Sequence, residues 1–138
     1  MNVVVLPISD VSTIPLSLLL EAETGMHSAM EYLHTATFFG AYMSSLLIGI
    51  CALRENEPGD GEIITISIIP THRQTNVPRS LIKRTILYAK LSHWHRLIIS
   101  VDDSNTKAVE LYLSCGFKAF LHSTPCAKMS VYAIDIKE

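Results

Sequence analysis

Apolar and polar positions along the chain fall into short runs whose period changes from about two to about 3.6 and back. Residues 2–8 (NVVVLPI) form a β-branched, apolar run that predicts a short strand. Ser12 or Thr13 follows as a helix cap, with Pro15 near the first helical position, where a missing N–H costs nothing. Residues 28–34 have the pattern of a second short helix. The uncharged stretch 35–53 divides at Ser44-Ser45 into two apolar runs, which predicts strands over 36–43 and 46–54 joined by a tight turn. Glu57-Pro58-Gly59-Asp60-Gly61 reads as a turn, and Glu62 to Ile69 as an Ile- and Thr-rich strand stopped by Pro70.

An eight-residue polar loop then leads into the clearest helix. Leu81, Ile82, Thr85, Ile86 and Ala89 recur on one stripe, while Arg79, Lys83, Arg84 and Lys90 lie off it. Arg96 to Val101 predicts a buried strand, and Ser104 or Asn105 caps a helix whose inner face carries Ala108, Leu111 and Tyr112. Gly116 supplies a left-handed stop, and strands over 117–122 and 128–136 close the chain as a hairpin. About seven strands and about four helices in this order predict an α/β fold of the layered α+β kind, with a mixed, partly parallel central sheet. With no repeat or linker, residues 1–138 read as a single domain.

Composition and charge narrow the function classes. Of 138 residues, 49% are apolar and 17% charged, which suffices for a core and excludes disordered and fibrous chains. The mean hydropathy of +0.31 raises the question of a membrane. Residues 35–53 would just cross a hydrocarbon core of roughly 30 Å. Their Ser, Thr and Gly content, with Arg54 as the one flanking cation, fits a buried hairpin better. The N-terminal run has no basic start and is interrupted by Asp10, so neither a signal peptide nor a membrane partner is expected. Cys51, Cys115 and Cys126 are odd in number and widely spaced, as in reduced cytoplasmic proteins. Residues 1–53 hold Asp10, Glu21, Glu23 and Glu31 but no Lys or Arg, whereas 63–101 hold six cations and no carboxylate. The basic middle suits an anionic ligand, while a pI near 6.3 weighs against a nucleic-acid partner. His93-Trp94-His95 has no third ligand at matching spacing, so no metal is expected and the pair reads as a turn.

The strand–loop–helix unit from Glu62 to Leu91 carries the chemistry, because a helix N-terminus offers unpaired N–H groups to an anion. Within it, Ile68-Ile69-Pro70-Thr71-His72-Arg73-Gln74-Thr75-Asn76-Val77-Pro78-Arg79-Ser80-Leu81 resembles the acetyl-CoA-binding motif of the GNAT superfamily of N-acetyltransferases, hydrophobic-x-Pro-x-x-Arg-x-x-Gly-x-Gly-x-x-Leu. A second signature of that family, Asn-x-x-Ala-x-x-x-Tyr-x-x-x-Gly-Phe, stands ungapped at Asn105, Ala108, Tyr112, Gly116 and Phe117. The order of elements matches the same fold over essentially the whole chain.

The resemblance implies transfer of an acetyl group from acetyl-CoA directly to a primary amine on a small molecule or peptide. It places the backbones of Ile66 and Ile68 along the pantetheine arm, with Asn105 in contact with that region. Arg73, Gln74, Thr75, Asn76, Val77, Pro78 and Arg79 fall around the pyrophosphate. Tyr112 falls at the general acid, a phenol of ordinary pKa about 10 suited to protonating a thiolate. Glu62, eleven residues before Arg73, falls at the general base of the histone-acetylating branch. The acidic first third (Glu21, Glu23, Glu31) would border the acceptor, and a homodimer is an assembly seen among similar proteins.

Two family glycines are replaced, by Asn76 and Pro78. Asn76 is expected to hold a left-handed turn, and Pro78 to sit at the first helical position. Pro78 removes a donor to a charged acceptor, worth roughly 1.5–3 kcal/mol. Arg73, Arg79 and Lys83 are expected to offset it electrostatically. The alternative is a GNAT-fold binding protein that has lost catalysis.

Overall fold

The computed structural model describes residues 2–20, 29–122 and 128–136. Seven strands form one sheet: β1 (Val3–Ile8), β2 (Thr37–Met43), β3 (Leu46–Glu57), β4 (Asp60–Ile68), β5 (Arg96–Asp102), β6 (Lys118–His122) and β7 (Met129–Asp135), ordered β1-β2-β3-β4-β5-β7-β6. Every adjacent pair is antiparallel except β4–β5. The helices are α1 (Leu16–Leu20), α2 (Val77–Leu91) and α3 (Thr106–Ser114).

The expected mixed, partly parallel sheet is therefore present, and the described residues form three α-helices where about four were expected. The segment expected as a helix over 28–34 is, within the described residues, one 3-10 turn, Ala29–Tyr32. So short a stretch cannot repay the cost of nucleating an α-helix. The first cap also differs. Asp10, not Ser12 or Thr13, accepts from the Ser12 N–H and starts a 3-10 turn, Val11–Thr13, ahead of Pro15 and α1.

Residues 35–53 fold as the β2–β3 hairpin. Ser44 and Ser45, at φ 50° and 70°, make its two-residue turn in the left-handed region, whose twist matches that of the strands. No helix among the described residues is long and apolar enough to cross a membrane.

Two cores lie on opposite faces of the sheet. One packs Leu81, Ile82 and Ala89 of α2 and Ala108 and Tyr112 of α3 against Phe39, Leu53, Ile66 and Ile99. The other packs Leu18 and Leu19 of α1 against Phe38, Ile50, Ala52 and Ile64. Helix α2 ends with His93 at φ 60°, while Trp94 N–H returns to Ala89 O, so His93 belongs to a turn as expected.

The feature that creates a site is in β4. The register passes from Ala52↔Thr65 to Leu53↔Ile63, leaving Ile64 as an extra residue. Such a bulge bends the strand that carries it. On its other side β4 pairs with β5 only over Asp60–Ile63 against Arg96–Ile99. Beyond the bulge the two parallel strands separate, and a cleft opens between them.

Candidate active site

The cleft has a volume of about 430 Å³ and runs from Ile66 past Arg73, Gln74, Thr75 and Pro78 to Asn105 and Tyr112. Seven of the residues expected in the site thus line one cavity.

Its strand wall follows from backbone alternation. Ile69 N–H donates to Ile48 O at 2.9 Å, so Ile69, Ser67 and Thr65 turn their main-chain groups toward β3. Ile66 and Ile68 consequently present theirs to the separated side, where β5 has left the pairing. The expected roles of Ile66 and Ile68 rest on groups that face the cleft. Arg73 Nε donates to Ile68 O at 3.1 Å and caps the end of this free edge.

The loop wall departs from expectation at three points. Asn76 has φ −82° and ψ 3°, so no left-handed residue is needed there and losing glycine costs no strain. Val77 is the first residue of α2, which puts Pro78 second rather than first. The loop also turns its polarity inward: Thr75 Oγ1 donates to His72 O at 2.6 Å and accepts from Val77 N–H at 3.3 Å. Val77 itself is buried, its side chain close against the Gly49 backbone. Arg79 Nη1 lies 3.6 Å from Cys115 Sγ at the end of α3, and neither Arg79 nor Lys83 lines the cleft.

The third wall is the start of α3. Asn105 caps that helix, its Oδ1 accepting from Ala108 N–H at 3.2 Å, while also bordering the cleft. Two turns on, Tyr112 is fully buried and meets Phe117 edge to face at a centroid distance of 5.6 Å. Lys107, Glu110 and Leu111 line the cleft too and were missed from sequence. The available signal was helical spacing: Glu110 and Leu111 stand three and four residues after Lys107, on the stretch between the signature positions Asn105 and Tyr112.

Glu62 is placed apart from this wall. Its register partners are Arg54 and Ile98, within the region where β4 and β5 still pair. Asn56 Nδ2 donates to Glu62 Oε1 at 2.8 Å, and Arg54 Nη2 lies 3.8 Å from the same oxygen. Ile63 faces the α2 core, so the neighbouring Glu62 faces the α1 side, where Arg54 stacks over the Tyr32 ring. Ser67 faces that side as well, fully buried, with no partner for its hydroxyl among the described residues. Glu31 is exposed in the 3-10 turn; Glu21, Glu23 and Cys126 lie outside the described residues. Burial raises the pKa of the Cys51 thiol. At the end of β5, hydrogen bonds from Ser104 hold the Asp102 carboxyl below the usual carboxylate range. The described residues hold no cluster of metal-ligating side chains.

An apolar strand edge leading into a cationic loop fits an acyl-pantetheine arm that ends in a diphosphate. The sequence profile described as the acetyltransferase (GNAT) family matches residues 14–117. No curated protein sequence matches the chain. An IAA acetyltransferase from Bacillus cereus ATCC 14579 has a similar structure, with TM-score 0.82 and 22% identity over 97% of this chain and 99% of that one. A GNAT family acetyltransferase from Elizabethkingia anophelis with acetyl-CoA bound gives 0.83 and 21%, over 97% and 98%. The ribosomal-protein-S18-alanine N-acetyltransferase from Escherichia coli gives 0.78 and 15%, over 99% and 96%. At these identities the likeness is one of fold.

Proposed function

The chain belongs to the GNAT acetyltransferase family, and from that premise we propose that it is an N-acetyltransferase acting on a primary amine by direct transfer, with Tyr112 as general acid and Glu62 as general base. As a family member it is an acyltransferase that uses acetyl-CoA as co-substrate. The observation that supports the reading is the separation of β4 from β5 after Ile63, beside a cavity lined by Ile66 of the free edge, Arg73 of the loop and Tyr112 of α3.

Bound acetyl-CoA supplies an acetyl group already activated as a thioester. The chain supplies the rest. Backbone N–H groups at Ile66 and Ile68 donate to the acyl arm, and the Tyr112 phenol delivers a proton to the departing sulfur. Glu62 stands on the other face of the sheet, four residues before Ile66, or about 13 Å along the strand. It therefore takes the acceptor's proton through water, entering from the α1 side while the acid stands on the α3 side. Negative charge in the first third of the chain, Glu31 included, would draw a cationic amine, small or peptidic. A peptidic acceptor is in keeping with one similar structure, the ribosomal-protein-S18-alanine N-acetyltransferase. The proposal covers one domain, residues 1–138, working in the cytoplasm as a monomer or a homodimer, which sedimentation would distinguish.

A specific observation favours a second reading, a binding protein without catalysis: Pro78 lacks an N–H and Thr75 occupies that of Val77. Calorimetric titration with acetyl-CoA, with CoA and ATP as controls, separates the two. Micromolar affinity with preference over ATP is expected. No binding at millimolar acetyl-CoA by the folded protein would leave the second reading. Given binding, Tyr112→Phe is expected to lower turnover at least tenfold with CoA affinity unchanged. Equal turnover would remove Tyr112 from the acid role.

A further inference from the structure

The cleft has lost part of the backbone donor set that a glycine-rich loop would offer. Pro78 has no N–H, Val77 N–H is taken by Thr75 Oγ1, and Ser80 N–H already belongs to the helix through Asn76 O at 3.0 Å. The side chain expected to compensate, Arg79, reaches Cys115 instead. The cationic side chains left lining the cavity are Arg73, on the loop, and Lys107, across from it on α3.

Lys107 stands in the first turn of α3, just after the cap Asn105. A cation there is locally unfavourable, because the positive end of the helix dipole repels it. Helix α2 points its N-terminus at the same cavity, and neither helix has an acidic residue in its first turn, where carboxylates are ordinarily favoured. Two dipole ends and two cations thus converge, with Glu110, one turn beyond Lys107, as the single carboxylate of the lining. A residue that breaks a local rule beside a site points to something in the site that compensates for it.

We infer that Lys107 is a diphosphate-binding residue of this chain: it closes on the CoA diphosphate from α3, opposite Arg73, and replaces by a side-chain contact the backbone donors that Pro78 and Thr75 remove. Glu110 opposes the same anion and sets an upper limit on its affinity. The inference rests on the acetyl-CoA reading above and adds the residue that holds the anion.

The test is calorimetric titration of the full chain with CoA, at low and at high salt, for wild type and variants. Lys107→Ala is expected to raise Kd about tenfold, as for loss of one charge-assisted hydrogen bond. Lys107→Arg is expected to keep the wild-type value, and Glu110→Gln to lower Kd a few-fold. All these differences should shrink as salt screens the exposed charges. Lys90→Ala, at the far end of α2, serves as the charge-matched control and should change nothing. Lys107 is exposed and alanine favours helix, so the fold is retained. Opposite signs for the Lys107 and Glu110 variants are what a structural role would not produce. If wild type binds CoA and Lys107→Ala binds it equally, the inference fails while the acetyl-CoA reading stands. If wild type does not bind CoA, both fail.

Discussion

Asn76 and Pro78 replace glycines, yet they act by different physics. At φ −82° Asn76 occupies ordinary backbone space, so the glycine that the family pattern has there is not required by conformation in this loop. Pro78 acts by removing a donor, an effect readable from the residue type alone. What sequence could not disclose was where the displaced polarity goes. Arg79 looks like a phosphate ligand by position and turns to Cys115; Lys107 looks like a solvated helix residue and borders the cleft. Ser67 is a third such case. Its hydroxyl is buried without a partner among the described residues, which costs about 1–3 kcal/mol for an unsatisfied polar group. Ser67→Ala is therefore expected to stabilise the fold by about 1 kcal/mol in denaturant titration. A loss of stability of that size would mean that the hydroxyl is satisfied in solution.

The site is made at the scale of elements by one extra residue. Alternating Ile and Thr identified β4, and Pro70 identified its end, but nothing in the run Ile63-Ile64-Thr65-Ile66 marks Ile64 as a bulge. A bulge is a relation between two strands, visible only once β3 has taken its register. The bulge puts Ile63 and Ile66 on the α2 side with Ile64 on the other, and from it follows which amides face the cleft. Without ligand, the amides of Ile66 and Ile68 are expected to exchange with solvent faster than those of Thr65 and Ser67, which face β3. Saturating CoA is expected to slow the first pair at least tenfold and leave the second nearly unchanged. Equal rates in both pairs would contradict this alternation of backbone groups along β4. The 3-10 turn found among the described residues of the expected 28–34 helix is of the same origin. Short segments such as Ala29–Tyr32 lack intrinsic helical stability, so packing against the sheet decides their form.

In the whole molecule the cleft is lined from β4, the loop into α2, and α3, so a ligand there ties three separate segments of the chain together. CoA at a hundred times its Kd is expected to add about 2.7 kcal/mol of stability, raising the thermal midpoint by on the order of 10 °C. ATP at equal concentration should give a smaller rise, and a midpoint indifferent to CoA would mean that the folded chain does not bind it. The order of elements, the hairpin at Ser44-Ser45, the stripe of α2, the cap at Asn105 and the two family signatures were all determined by the sequence itself. Each depends on periodicity, turn chemistry or residue identity within a few positions. The tertiary structure alone decided the bulge at Ile64, the opposite faces of Glu62 and Tyr112, the inward turn of Thr75 and Arg79, and the meeting of Arg73 with Lys107. Those features depend on strand register and on groups 34 residues apart in sequence, such as Arg73 and Lys107, coming to one cavity, and register and packing are settled only when the sheet closes.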